Sequence, residues 1–175
     1  LGNTEFCNMH AAHEALPDAW KRRLEGMTVL HDFDKFWEMM RRERGSTRPP
    51  LTPAQRAARP PVSHPLFLVH PITGRRVLYA NPGYAIRINE MDEKESAEAL
   101  EFLFAHQTRP EFRYAHRWEV GDVLMWDNMG TIHNAIPDYR PDEPRYIKRC
   151  QVMATRFFHD DGTPRAVADT ALAGA

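Results

Sequence analysis

The segment from residue 126 to residue 133, Trp-Asp-Asn-Met-Gly-Thr-Ile-His, ends in a histidine that is a candidate metal ligand. A neutral imidazole such as that of His133 binds divalent transition metals well. Arg145 and Arg149 follow, and a guanidinium holds a carboxylate at two points. If the loop 138–144 joins two antiparallel strands, Arg145 returns alongside His133 and Arg149 shares its strand face. The pattern indicates a metal that holds a carboxylate-bearing cosubstrate; a basic strand that faces solvent is the alternative.

The other histidines give weaker signals. His10 and His13 are three residues apart on a predicted helix, and we interpret them as part of a solvated helix face. His31 precedes an aspartate, a combination that is more common in loops and caps than at metals. His64, His70, His106 and His116 lie beside turns or helix ends without a partner at ligand spacing, so His133 is the candidate that we retain.

The elements around these residues follow from hydrophobic spacing. Apolar residues at helical intervals predict helices, and short β-prone runs bounded by turn residues predict strands. We predict helices at 10–25 (restarting near Pro17), 33–44 and 92–106, and strands at 4–9, 27–31, 66–70, 76–79, 112–118, 123–126, 131–136 and 146–158. Short antiparallel strands with interleaved helices indicate a mainly β sandwich or jelly roll with surrounding helices, an α+β architecture.

Two segments fall outside this pattern. Residues 41–62 are rich in proline and arginine and predict a surface loop without packed structure. The tail 160–175 is rich in alanine, has no bulky apolar cluster, and predicts a frayed end. We therefore expect one domain over residues 1–159.

Composition excludes several classes of function. With 23 basic and 24 acidic side chains the net charge is -1, so neither nucleic acid nor an acidic membrane surface is an expected partner. No apolar run reaches the roughly 20 residues of a membrane span, and the start has no signal-peptide pattern. Cys7 and Cys150 are far apart, which favours reduced thiols in a cytoplasmic protein.

Over residues 1–158 the sequence resembles the taurine dioxygenase and aryloxyalkanoate dioxygenase (TauD/TfdA) family. The resemblance rests on motifs that occur in the family's order and spacing. These motifs are 2–4 (Gly-Asn-Thr), 9–16, 64–65 (His-Pro), 70–75 (His-Pro-Ile-Thr-Gly-Arg), 81–84 (Asn-Pro-Gly-Tyr), 102–106, 118–122, 126–133, 138–139 and 145–149. The resemblance implies a double-stranded β-helix that uses Fe(II) as cofactor and 2-oxoglutarate as cosubstrate.

The resemblance also implies roles for single residues. His133 resembles the distal histidine of the family's two-His-one-carboxylate iron site, which leaves positions open for 2-oxoglutarate and O₂. Arg145 and Thr4 resemble the residues that bind the far carboxylate of 2-oxoglutarate, and Arg149 resembles the second arginine, which faces the anion of the substrate. Aromatic residues of the substrate pocket are expected at Tyr84 and at Trp37 or its neighbour Phe36.

The other two iron ligands of the family form a His-x-Asp pair some two dozen residues before the threonine that Thr4 matches. This sequence begins too late to contain that pair, and it has no initiator Met. We expect the pair to precede residue 1 in the native protein; a fragment or a different ligand set are the alternatives. His133 alone would bind iron weakly, so we expect the chain by itself to be inactive.

The resemblance thus implies a dioxygenase that hydroxylates a small organic acid, either a taurine-like sulfonate or an aryloxyalkanoate, with succinate and CO₂ as coproducts. Pairing of subunits into a homo-oligomer is a further expectation from the family. The alternative is a non-catalytic jelly-roll module that binds an organic anion or serves as a scaffold.

Overall fold

A computed structural model describes residues 1–43, 46–140, 142–143 and 146–151. Within these residues, short strands alternate with helices. In chain order the elements are β1 (Thr4–Asn8), α1 (Met9–Glu14), α2 (Asp18–Leu24), β2 (Thr28–His31), α3 (Phe33–Arg42), α4 (Pro53–Ala57), β3 (Val62–Pro65), β4 (Phe67–Val69), β5 (Arg76–Leu78), β6 (Ala85–Ile88), α5 (Glu93–Gln107), a 3-10 turn (Pro110–Phe112), β7 (Arg113–His116) and β8 (Thr131–Ala135). All the strand pairs among them are antiparallel.

The sheet that carries the candidate site has the order β7-β1-β8, with β1 in the centre. Strand β1 ends at Asn8, which caps α1. The Asn8 side chain accepts hydrogen bonds from the backbone N–H groups of His10 and Ala11, both at 3.1 Å. Strand β1 therefore passes directly into α1, whose Met9 and Ala12 are buried in the core.

A second sheet has the order β3-β2-β6, and β4 and β5 form a separate hairpin. The hairpin turns at residues 70–75, where Gly74 adopts a φ of 67°, a conformation that glycine tolerates without steric cost. The predicted strand pair around this turn is confirmed, whereas β3 and β6 were not predicted as strands.

Helix α5 confirms the prediction made from its sequence. Asp92 caps its first turn, since its carboxylate accepts a hydrogen bond from the Glu95 N–H at 2.8 Å. Ala99, Leu100 and Leu103, at the predicted inward spacing, are buried in the core. Along the described part of the chain, no helix is both long enough and apolar enough to cross a membrane.

The prediction that residues 41–62 lack packed structure is wrong in part. This segment contains α4, which starts with a capping box between Thr52 and Gln55, and Leu51 is only 3% exposed. Arg56 on α4 also pairs with Asp34 on α3 at 2.9 Å. The contact between Arg56 and Asp34 gave no sign in the sequence because its residues are 22 positions apart. The Thr-x-x-Gln capping pattern, by contrast, is local and was a usable helix signal that the proline-rich composition outweighed.

Two strands predicted after β7 are not formed by the residues that the structure describes. Residues 123–126 form no strand, and Val123 and Met125 are 96% and 93% exposed. Residues 146–151 also lie outside any strand, and 152–158 fall outside the described residues. A β-prone run becomes a strand only when a partner supplies hydrogen bonds, and no described segment pairs with these residues. The predicted frayed tail, 160–175, lies outside the described residues as well.

Candidate functional site

The register of the first sheet brings two predicted site residues onto one face. Phe6 on β1 is the cross-strand partner of His133 on β8, so their side chains lie on the same face of the sheet. Thr4, two residues before Phe6, shares that face because side chains alternate along a strand. A threonine and a histidine that are far apart in sequence are therefore neighbours, as the resemblance requires.

Thr4 is buried at 6% exposure, and its hydroxyl oxygen accepts a hydrogen bond from the indole N–H of Trp118 at 2.9 Å. A hydroxyl has one hydrogen to donate as well as lone pairs to accept. The contact with Trp118 uses a lone pair and leaves the hydroxyl hydrogen able to donate to an anion. This arrangement suits the predicted role of Thr4 toward a carboxylate.

The His133 imidazole lies against two aromatic rings. Its centroid is 5.1 Å from that of Trp126 and 6.2 Å from that of Phe6. Partial removal from water lowers the pKa of His133 below its ordinary value, and the nearby positive charge of Arg149 lowers that pKa further. Both effects favour the neutral imidazole, which is the form that binds a metal.

The positive charge of Arg149 affects Tyr84 as well as His133. Burial raises the pKa of the Tyr84 hydroxyl, and the positive charge of Arg149 opposes that rise. The predicted strand is wrong over residues 146–151, yet the Arg149 guanidinium still acts on both His133 and Tyr84. Arg145, the predicted partner of 2-oxoglutarate, lies outside the described residues.

Of the predicted aromatic residues, Tyr84 and Phe36 form a stacked pair. Their ring centroids are 4.9 Å apart, and the ring planes differ by 9°. Trp37 instead turns toward the segment after α3, where its indole N–H donates to the Pro49 carbonyl at 2.8 Å. A cavity of about 210 Å³ lies between Phe36, Trp37 and Arg48.

A larger cavity, about 400 Å³, opens beside the His133 face of the sheet and was not predicted. Its lining includes Phe6 and Thr131 from that face, together with Trp126. The sequence held no signal for it, because its lining residues come from β1, β8 and the segment before β8, which only the fold brings together. The cavity provides space next to the candidate ligand.

The metal site is only partly supplied by the described residues. His133 has the right donor chemistry, but no group of three His, Cys, Asp or Glu side chains in the described ranges is placed to bind one metal ion. The sequence prediction also passed over one His-x-Asp triplet, His159-Asp160-Asp161. That triplet follows the arginines, whereas the family's pair precedes the threonine, and it lies outside the described residues.

Two other groups of histidines differ from their prediction. His13 is 9% exposed and packs edge-on against Phe67, so the prediction of a solvated face is wrong for it. His31, His64 and Tyr79 form a triangle with ring centroids 5.4 to 5.6 Å apart. Both ring nitrogens of His31 are buried there without a hydrogen-bond partner in the described part of the chain.

Comparison with known proteins identifies relatives over most of the chain. The sequence profile of the family described as taurine catabolism dioxygenase TauD, TfdA family matches residues 2–151. Pentalenolactone F synthase of Streptomyces avermitilis is 34% identical over 93% of this chain and 54% of its own length. The alpha-ketoglutarate-dependent 2,4-dichlorophenoxyacetate dioxygenase of Burkholderia sp. is 38% identical over 89% of this chain and 50% of its own length.

Solved structures show the same similarity in three dimensions. The crystal structure of AAD-2 in complex with Mn(II) and N-oxalylglycine superimposes with a TM-score of 0.70 at 34% identity, covering 83% of this chain and 54% of the other. The predicted fold class, a mainly β jelly roll with surrounding helices, is confirmed by this similarity. The chain spans about half the length of the curated relatives that it matches.

Proposed function

The chain belongs to the taurine catabolism dioxygenase TauD, TfdA family, and from this premise we propose that it supplies part of the active site of an Fe(II)- and 2-oxoglutarate-dependent dioxygenase. The whole protein would hydroxylate a C–H bond of a small organic acid while O₂ converts 2-oxoglutarate to succinate and CO₂. The observation that carries the proposal is the shared face of Thr4 and His133, with the charge of Arg149 acting on His133.

His133 is the proposed iron ligand, and iron would supply the oxidising chemistry when it is bound. Among the protein's own groups, Thr4 donates its free hydroxyl hydrogen to the far carboxylate of 2-oxoglutarate. Arg145 is proposed for the same carboxylate on the resemblance alone. The rings of Phe6 and Trp126 pack beside the His133 imidazole, which is otherwise exposed to solvent.

The substrate end is proposed to lie between Arg149 and the stacked pair of Tyr84 and Phe36. An arginine beside an aromatic wall suits an organic acid that has both an anionic group and an apolar body. A sulfonate and an aryloxyacetate both meet that description, and the named relatives make these two classes the first to test. Pairing of subunits stays a prediction.

The test is an assay of the protein in its full length with Fe(II), 2-oxoglutarate and air. Succinate and oxidised product are measured for a series of alkyl sulfonates and aryloxyacetates. We expect His133→Ala to abolish succinate formation. We expect Arg149→Ala to raise the KM for the acid substrate at least tenfold, since one lost charge-assisted contact costs about 1.5 to 3 kcal/mol. Arg22→Ala is the matched control, because Arg22 is an exposed arginine on α2, a helix that carries none of the proposed site residues.

Two results would contradict the proposal. Full succinate formation by His133→Ala would show that His133 is not the iron ligand. Equal KM values for Arg149→Ala and Arg22→Ala would show that Arg149 does not bind the acid substrate. Binding of sulfonates without any succinate would favour the alternative, a non-catalytic module that binds organic anions.

A further inference from the structure

The turn that precedes β8 is held by one carboxylate. The side chain of Asp127 accepts a hydrogen bond from the Met129 N–H at 2.8 Å through Oδ1 and one from the Gly130 N–H at 2.9 Å through Oδ2. Oδ2 also lies 2.8 Å from Nε2 of His70, a residue of the β4–β5 hairpin. Asp127 thus binds both its own turn and a separate element.

The hydrogen bonds of His70 determine which ring nitrogen carries the proton. Nδ1 faces the backbone N–H groups of Ile72 and Thr73 at 3.3 and 3.2 Å, so it must accept. The proton therefore resides on Nε2, which donates to Asp127. The His70 side chain is 5% exposed, so this single buried imidazole connects the β4–β5 turn to the turn before β8.

The turn has little space in which to move. A Cβ atom at Gly130 would lie 2.8 Å from Oδ2 of Asp127 and 3.0 Å from Nε2 of His10. The Met9 N–H donates to the Gly130 carbonyl at 2.9 Å, and Nδ1 of His10 lies 3.0 Å from the Arg76 carbonyl. The start of α1 therefore contacts the turn directly, and His10 connects α1 to the start of β5.

The residues on both sides of this turn lie close to His133: Trp126 precedes the turn, and β8, which carries His133, follows it. Trp126 stands immediately before Asp127, and its indole N–H donates to Oδ1 of Asn128 at 2.9 Å. The Trp126 ring packs 5.1 Å from His133 and 5.3 Å from Phe6. A displacement of the turn would move this ring and the first residues of β8 together.

We propose that His70 and Asp127 are positioning residues for His133, acting through the turn and the Trp126 ring. The inference rests on the proposed function of His133 as a metal ligand. Ligands are commonly oriented by partners outside the coordination sphere, whose loss costs about 10- to 100-fold in metal affinity. Here the orientation is transmitted by a hydrogen-bonded turn and an aromatic contact.

The test compares Asp127→Asn and His70→Leu with His106→Leu as the matched control. His106 is another buried histidine, 5% exposed, and its Nε2 lies 2.8 Å from the Ala12 carbonyl. Asp127→Asn is the milder change because it keeps Oδ1 for the Met129 N–H while it places an amide N–H₂ against the Nε2–H of His70. Nuclear magnetic resonance of the metal-free chain would follow the ring protons of His133 and their nuclear Overhauser contacts to the Trp126 indole.

We expect both turn variants to shift the His133 ring resonances and weaken its contacts to Trp126, whereas His106→Leu lowers stability without either change. Unaltered His133 resonances in Asp127→Asn would overturn the proposal. In the protein in its full length, Asp127→Asn should also raise the dissociation constant for Mn(II) about tenfold. If His133→Ala leaves Mn(II) affinity unchanged, the ligand role fails, and this result is separate from the resonance shifts that test the positioning.

Discussion

Replacing His31 with leucine should make the protein less sensitive to acid. In the folded protein burial, followed by the neighbouring charges of His64 and Lys35, lowers the pKa of His31 to about 4 from an ordinary value of 6.5. Its two ring nitrogens are buried without hydrogen-bond partners in the described part of the chain, and the Val29 backbone beside the ring offsets the lowering of the pKa only in part. In the unfolded chain the His31 imidazole takes up a proton below about pH 6.5, whereas in the folded chain it stays neutral down to about pH 4.

The sign and size follow from this difference in pKa. The neutral ring's contribution to stability is complete above about pH 6.5 and is lost as the pH falls toward 4. Each pKa unit corresponds to about 1.36 kcal/mol, so the full difference is roughly 3 kcal/mol. Between about pH 7 and pH 5 only part of the transition occurs, and His31 should account for a loss of about 2 kcal/mol in the free energy of unfolding.

Urea unfolding at these two pH values measures that loss. Wild type should lose about 2 kcal/mol more than His31→Leu between about pH 7 and pH 5. Val29→Ala is the control, because Val29 is fully buried on the same strand and does not titrate, so its cost should be equal at both pH values. The reasoning is refuted if wild type and His31→Leu lose the same free energy over this range.

Three further substitutions test the packing around the site. Thr4→Val removes the acceptor of the Trp118 indole N–H and should cost about 1 to 3 kcal/mol, measured by urea unfolding followed by tryptophan fluorescence. Gly130→Ala places a Cβ 2.8 Å from a carboxylate oxygen of Asp127 and should cost about 1 to 3 kcal/mol in the same assay; an unchanged midpoint would contradict the enclosed turn. Leu103→Ala, at a fully buried position of α5, should cost about 2 to 5 kcal/mol and lower the Tm in calorimetry, and a loss below 1 kcal/mol would argue against this core.

Local patterns predicted those elements whose signals lie within a few residues. Asp92 and the apolar spacing after it identified α5, and the turn at 70–75 identified the β4–β5 hairpin. The β-prone run 123–126 shows the limit of this approach, since its composition was that of a strand and the described chain offers it no partner. Strand formation depends on hydrogen bonds to a second segment, which no local window contains.

The sequence by itself determined the family, because the order and spacing of its motifs identify relatives even though they say nothing of contacts. It also singled out Thr4, His133 and Arg149. Only the tertiary structure decided how these residues are arranged: the register of β1 against β8 places Thr4 and His133 on one face. It also revealed the bond between His70 and Asp127, which joins residues 57 positions apart. Such contacts arise from chain folding, which brings distant side chains together, whereas a linear pattern records only neighbours along the chain.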